Sequence, residues 1–407
     1  MKHLAAAALL VLSPLQERDA DPDALAGDLS HPDIAVREEA ARRLVALGDT
    51  AVPALRRLLE APDPEARQRA EQALAQIDLE ARLRRVCPVR PPLTLRLEGA
   101  PLEDALAEIA RRTGVRFCAD ALAPGRRVSL SLERATLLEA LDRICRALGD
   151  AQWAFDGPDR VSFSPIPFVE RPTCYAGAFK VSMGRLDLYR TSTFRDHQGL
   201  VTFHLEAQAE PGARPLGAPA FTLDEVADDR GRVLTPEAPL SVTGPAVAAA
   251  PAGGADARAF TYGGLHPAAR ALARVRGAVT FFFALNSETV TLDNLARDSV
   301  RELGDFVVQI NEVHSGSVQL TLLRKSGPFK AEHAIDPASI VVVDTEGIEY
   351  RPLPADLQRY SVFRNGGSFF IHFDRSWYRQ AQALTFTLIR DVHERKIPFE
   401  FRDVALP

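Results

Sequence analysis

Lysine is nearly missing from this 407-residue chain: it stands only at positions 2, 180, 325, 330 and 396, and arginine carries almost all the positive charge. The formal net charge of -5 is too mild to draw the chain to nucleic acid or to an anionic lipid surface. Cysteine occurs four times and never as a Cys-x-x-Cys pair, which excludes cysteine-rich zinc sites. A glycine-rich phosphate loop, a dinucleotide fingerprint and an HExxH zinc motif are all lacking. The nine histidines are scattered, and His204 and His372 alternate with apolar strand residues, so both read as packed or rim side chains. No apolar run is long enough to cross a bilayer as a helix. These absences leave no residue to nominate as catalytic, cofactor-binding or metal-ligating, and they predict a non-enzymatic protein without a cofactor or a membrane span.

What is present is organisation. The length suits two to four domains, and 46% hydrophobic with 25% charged residues is ordinary for a globular chain. Residues 1–16, MKHLAAAALLVLSPLQ, have the form of a secretory signal: Lys2 first, an apolar stretch from Leu4 to Leu12, then polar residues. A periplasmic or secreted location is the expectation. In such a compartment Cys87 and Cys174, which flank the α/β module described below, are placed to clasp its two ends with a disulfide. Four reduced thiols are the alternative.

Residues 23–78 repeat. Leu25, Leu29, Pro32, Asp33, Arg37, Ala40, Leu44 and Leu47 recur thirty positions later as Leu55, Leu59, Pro62, Asp63, Arg67, Ala70, Leu74 and Ile77. The apolar positions keep helical spacing, and each Pro-Asp step falls between two helices, where aspartate caps free N–H groups. Each unit therefore reads as a helical hairpin stacked on the next. The arginine is expected to pair with its own or a neighbouring aspartate. These residues resemble HEAT repeats, and the resemblance implies a protein-binding surface, for which Asp33, Arg37, Asp63 and Arg67 are the candidates.

Residues 92–165 alternate in the order β-α-β-β-α-β-β. Leu93, Leu95 and Leu97 alternate as a strand, and Leu102, Ala105, Leu106 and Ile109 share a helical face. Val128, Leu130 and Leu132 form another strand, and Leu137, Ala140, Leu141, Ile144 and Leu148 a second helix. Trp153 with Phe155 and Val161 with Phe163 close as a hairpin. The stretches LTLRLEGAPLEDALAEIARRTGVRF and RRVSLSLERATLLEALDRICRALG resemble the short N-terminal (STN) domain of secretins and TonB-dependent transducers. That resemblance implies a docking piece for other envelope proteins and no catalytic residues. From Arg90 to Arg160 the arginines equal the acidic residues in number, so the basic footprint of a nucleic-acid binder is absent.

Beyond Cys174 short strand-like runs recur between Gly-, Asp- and Pro-rich turns, which predicts two antiparallel β-sandwiches, residues 174–298 and 300–405, resembling tandem immunoglobulin- or fibronectin-like units. The halves look duplicated: Asp228, Gly231 and Pro236 reappear as Asp344, Gly347 and Pro352. Residues 236–258, rich in Ala, Gly and Pro, are expected to form a mobile loop of the first sandwich. Trp377, Tyr378, Phe369, Phe370 and Phe373 give the second sandwich an aromatic cluster. The leading functional expectation is a binding or scaffold protein of the cell envelope with a protein partner. A carbohydrate- or matrix-binding protein using those aromatics is the alternative, and a hydrolase without a recognisable motif is the third class.

Overall fold

The computed structural model describes residues 21–88, 90–157, 159–193, 196–237, 256–293, 295–326, 333–352, 360–363, 365–373 and 380–407. The signal-like residues 1–16, most of the loop 236–258, and Trp377 and Tyr378 lie outside the described residues. The chain divides into two compact units that meet between Arg85 and Val86.

The first unit is helical. Helices α1 (Pro22–Asp28) and α2 (Ile34–Leu47) form one hairpin, and α3 (Val52–Leu58) and α4 (Pro64–Val86) the next, with a short 3-10 turn, Gly48–Ala51, between the hairpins. The repeating apolar positions converge in one core: Leu25 and Leu55, Ala40 and Ala70, and Leu44 are buried there with Ile77, while Leu59 and Leu74 pack against it. Sequence periodicity and packing agree because every helix must bury one stripe against the next hairpin.

The second unit opens with an α/β module. Its order is β1 (Leu93–Pro101), α5 (Leu102–Thr113), β2 (Arg116–Cys118), β3 (Arg127–Ala135), α6 (Leu137–Leu148), β4 (Gln152–Phe155) and β5 (Arg160–Ser164). This is the element order read from the periodicity. β1 pairs with β3, while β5 lies between β2 and β4. The buried faces of α5 (Leu102, Leu106, Ile109) and α6 (Leu137, Leu141, Ile144) meet Val128, Leu130, Leu132, Val161 and Phe163 in a common core.

Three five-stranded sheets complete the unit. The first contains β6 (Thr173–Ala176), β7 (Phe179–Thr193), β8 (Asp196–Ala209), β10 (Thr235–Pro236) and β11 (Asp256–Leu265), in the order β10-β11-β8-β7-β6. The third contains β13 (Val300–Leu303), β14 (Phe306–His314), β15 (Ser317–Arg324), β18 (Tyr360–Phe363) and β19 (Gly366–His372), in the order β13-β14-β15-β19-β18. Between them lies a sheet of β9 (Ala220–Asp228), β12 (Ala271–Asp293), β16 (Ile335–Asp344), β17 (Glu349–Tyr350) and β20 (Ala381–Ala405), in the order β17-β16-β20-β12-β9. One core is built from the first sheet and one end of the shared sheet, with Phe179, Phe203, Phe281 and Phe283 at its centre. The other is built from the third sheet and the opposite end, with Phe306, Leu320, Leu384 and Phe386. We call these the first and second lobes.

The duplication is visible in local chemistry. Asp228 Oδ1 accepts the backbone N–H groups of Arg230 and Arg232, each at 2.9 Å. Asp344 Oδ1 accepts those of Glu346 and Ile348 at 2.9 and 3.0 Å. The turns end in Gly231 (φ 79°) and Gly347 (φ 80°), a left-handed backbone that costs glycine nothing. The second oxygen differs: it takes His266 N–H in the first copy and the Tyr350 hydroxyl in the second. Burial opposes ionisation of Asp228, but the three N–H groups prevail and hold its carboxyl below the usual range.

The expected boundary near Ser299 does not separate the lobes. Ile397, Phe399, Phe401 and Val404, from the end of the chain, are buried in the first lobe, while Val290 and Leu292 of β12 are buried in the second. Each long strand is twice the length that one lobe buries, so its far half must find apolar cover in the other.

The expected Cys87–Cys174 bridge is also absent, and all four cysteines are free thiols. Cys87 is buried in the first lobe with its Sγ 3.9 Å from Arg395 Nη1, and Cys174 packs against the same core from β6. Burial pushes the Cys87 thiol up and drives Cys145 up to about 12, so neither supplies the thiolate that disulfide exchange needs. In the folded protein a thiol reagent at pH 8 should modify Cys118 and Cys174, both partly exposed, and react with Cys87 and Cys145 on the order of a hundredfold more slowly. Mass spectrometry of timed samples reads this directly, with all four reacting in denaturant.

Candidate functional site

The helical hairpins place the four nominated residues at their turns. Asp33 is the N-cap of α2, its Oδ1 accepting the Ala35 N–H at 2.9 Å, and Asp63 Oδ1 accepts the Glu65 N–H at the start of α4 at 2.9 Å. The arginines do not pair with these aspartates. Arg37 turns back onto its own loop, where Nη1 donates to the carbonyls of His31 and Pro32 at 2.7 and 2.9 Å, and Nη2 lies 4.0 Å from Glu65 of the second hairpin. Its side chain is 16% exposed, so only a small part of it reaches the surface. Each capped aspartate is already committed to backbone, which is why the guanidinium seeks carbonyls instead.

Arg67, the equivalent of Arg37, is exposed. The two differ because Arg37 is covered by the hairpin that follows it, whereas α4 ends the helical unit. The link between hairpins runs through Glu65, which faces Arg37 and pairs with Arg69, while Arg69 Nη1 also reaches the Leu29 carbonyl at 3.4 Å. Sequence reasoning missed Arg69 and Glu65 because neither keeps the thirty-residue period. Beside the Asp33 cap, Ile34 is 59% exposed and carries apolar surface at the same turn. Asp33→Ala and Asp63→Ala should each cost about 1 kcal/mol, while the asparagine variants stay within a few tenths. Chemical denaturation followed by circular dichroism checks both.

A second cluster lies where α6 and β4 of the α/β module face the first sheet. There a cavity of about 190 Å³ is lined by Asp142, Trp153, Tyr175, Lys180, Ser182 and Glu206, among others. Asp142 sits on α6 on the same face as Leu138 and Cys145, both fully buried, and is itself buried. Its Oδ1 accepts Trp153 Nε1–H at 2.7 Å, its Oδ2 accepts the Tyr175 hydroxyl, and Lys180 Nζ lies 2.7 Å from Oδ2. The Lys180 ammonium also stands 5.1 Å from the centre of the Trp153 ring, a cation–π distance. Tyr175 is held above the ordinary tyrosine range by burial and by the Asp142 charge beside it, so its phenol remains a hydrogen-bond donor. At the rim Arg171 Nη1 pairs with both oxygens of Glu206, at 3.0 and 2.9 Å.

A third contact reinforces this one. Glu210, buried just beyond β8, accepts the Leu137 N–H at the start of α6 at 3.1 Å and lies 3.4 Å from Arg90 Nη1. Burial raises its carboxyl above the usual range despite the Arg90 charge. One carboxylate thus reaches from the helix to the sheet and another from the sheet to the helix. Both satisfy groups that would otherwise be buried without partners, and together they fasten the module to the lobe. None of the six nominated residues takes part. Lys180, with no other lysine between positions 3 and 324 of an arginine-rich chain, was the available signal: a compact ammonium fits between a carboxylate and an indole face where a planar guanidinium fork does not.

The aromatic cluster of the second lobe does not form an open platform among the described residues. Phe369 and Phe373 are buried in the core, and Phe370 is 39% exposed. Also among the described residues, no group of three or more His, Cys, Asp or Glu side chains is arranged to hold a metal ion, and no helix is long and apolar enough to cross a membrane.

Comparison with known proteins places one part of the chain. Residues 6–89 match the family model of HEAT repeats, a span that begins within the signal-like stretch and covers both hairpins. No curated protein and no solved structure matches the chain.

Proposed function

We propose that this protein is a non-enzymatic binding scaffold that works outside the cytoplasm, in the periplasm or beyond, with its helical hairpins taking a protein partner. The observation that carries this reading is the pair of stacked hairpins similar to HEAT repeats, a repeat of the protein-interaction type. Stacked hairpins present a continuous row of turns and helix faces, a geometry suited to extended protein surfaces. At those turns the aspartates are used as caps and Arg37 is turned inward, while Ile34 and Arg67 stand exposed for a partner. Arginine is among the residue types enriched in binding hot spots.

The remainder of the chain supports a scaffold role. The charges of the cavity between α6 and the first sheet neutralise one another, as Asp142 with Lys180 and Glu206 with Arg171. Such a cluster holds surfaces together. The α/β module, which resembles the STN domain, would be a second docking piece, carried rigidly on the β lobes.

The test is affinity capture from a solubilised envelope fraction, with the full-length protein as bait beside the variants Ile34→Asp and Arg67→Glu. Both positions are exposed, so both variants should keep the fold. A partner retained by the parent protein and lost with both variants is the expected result. Recovery of the same proteins with all three baits would remove the hairpins as the binding surface.

A further inference from the structure

The two lobes share more than a sheet. Strand β12 pairs with β20 along its whole length, from Ala271 opposite Ala405 to Asp293 opposite Ala383, with an irregularity only around Ala284, Asn286 and Ser287. β9 pairs with the first half of β12, through Thr280, and β16 pairs with the first half of β20, through Leu388. The second half of each strand then crosses to the other lobe: Val290 and Leu292 enter the second core, and Ile397, Phe399, Phe401 and Val404 enter the first. The outer sheets have equivalent orders, β6-β7-β8-β11-β10 in one and β13-β14-β15-β19-β18 in the other. The β9 and β16 turns carry the same aspartate cap.

We infer that the β half of this protein is a strand-exchanged pair joined in one chain: two copies of a single β unit, each completing the other's core with the far half of its last strand. Reciprocal exchange of an identical element is the geometry of a domain-swapped homodimer. Here both partners lie in the same polypeptide, so each meets the other at the high effective concentration a short connection provides. One copy by itself would leave Phe399 and Phe401, or their counterparts, without a core. The lobes are therefore one folding unit, and once it has formed the covalent link between them no longer holds it together.

The experiment cuts that link. A recognition sequence for a site-specific protease is inserted between Ala296 and Arg297, both exposed in the turn after β12. The folded, full-length protein is then cleaved to completion. Size exclusion with light scattering should show one species of unchanged mass, which denaturant separates into two pieces. Separation of the pieces under native conditions would overturn the inference, because two independent β domains come apart when their linker is cut. A second measurement needs no insertion. In the variant Phe399→Ala, hydrogen exchange should accelerate at least tenfold in β7 and β8 of the first lobe, although Phe399 belongs to the last strand of the second copy. Acceleration confined to β14 and β15 would show that the last strand belongs to the second lobe after all.

Discussion

Replacing Asp142 with alanine should lower the stability of the second unit by about 3–5 kcal/mol, because it strands a buried ammonium. The Asp142 and Lys180 side chains are only 8% and 13% exposed, so solvent screens little of the interaction. Removing the carboxylate also takes away the acceptor of the Trp153 N–H and of the Tyr175 hydroxyl, two further donors in a partly buried site. Lys180→Met should cost less, about 1–3 kcal/mol, since Asp142 keeps both of those hydrogen bonds. The double variant should cost clearly less than the two losses added together, with a coupling of about 2 kcal/mol. Urea denaturation of the four proteins closes this cycle. Additivity within about 0.5 kcal/mol would show that the pair does not act as a fastener. Hydrogen exchange should localise the damage to α6 and β4 of the module and to β6 and β7 of the sheet they face.

Gly277→Ala should be the most damaging alanine substitution among the described glycines, costing about 3 kcal/mol or more. A Cβ at that position would lie 2.2 Å from the Thr222 carbonyl oxygen, 3.1 Å from Leu223 Cα and 3.1 Å from the Phe399 ring. Two of the three neighbours are backbone and cannot rotate away. The glycine lies where the register between β9 and β12 shifts, so the backbone of β9 comes close to its Cα there. Gly263→Ala makes the control. Its Cβ would also come within 2.2 Å of a neighbour, but that neighbour is the end of the flexible Glu237 side chain. It should cost about 1 kcal/mol or less. Thermal unfolding of both variants beside the parent distinguishes them, and similar losses at the two sites would refute the steric account.

The parts of the fold legible in the sequence were those encoded by local periodicity. Leucines at helical spacing fixed the hairpins, and alternation in LTLRL and VSLSL marked β1 and β3. The Asp-x-x-Gly turns showed duplication because a side-chain cap and a left-handed glycine are both written within four residues. What was not legible depends on long-range pairing. Nothing in the run Val279 to Leu292 says that its second half crosses to another core, since an apolar strand reads the same whichever sheet covers it. The Asp142 fastener was hidden for a similar reason. An aspartate at the margin of an amphipathic helix's apolar face looks solvated until Lys180, thirty-eight residues later, is found against it. The aspartate pairing expected for Arg37 failed in the opposite way. Its period was real, but its guanidinium was needed inside the repeat.

The course of β20 bears on when this protein can finish folding. Synthesis delivers the chain from its N-terminus, and domains ordinarily close as they emerge. The first lobe cannot, because its core waits for residues 397–404, which are made after every strand of the second lobe's outer sheet. Until then Phe179, Phe203 and Phe281 belong to a half-built layer, and contacts separated by some two hundred residues must form late and slowly. The helical hairpins and the α/β module have no such dependence and complete their cores from neighbouring sequence. A nascent chain of this protein is thus folded at its front and open at its rear until residues 397–404 have emerged.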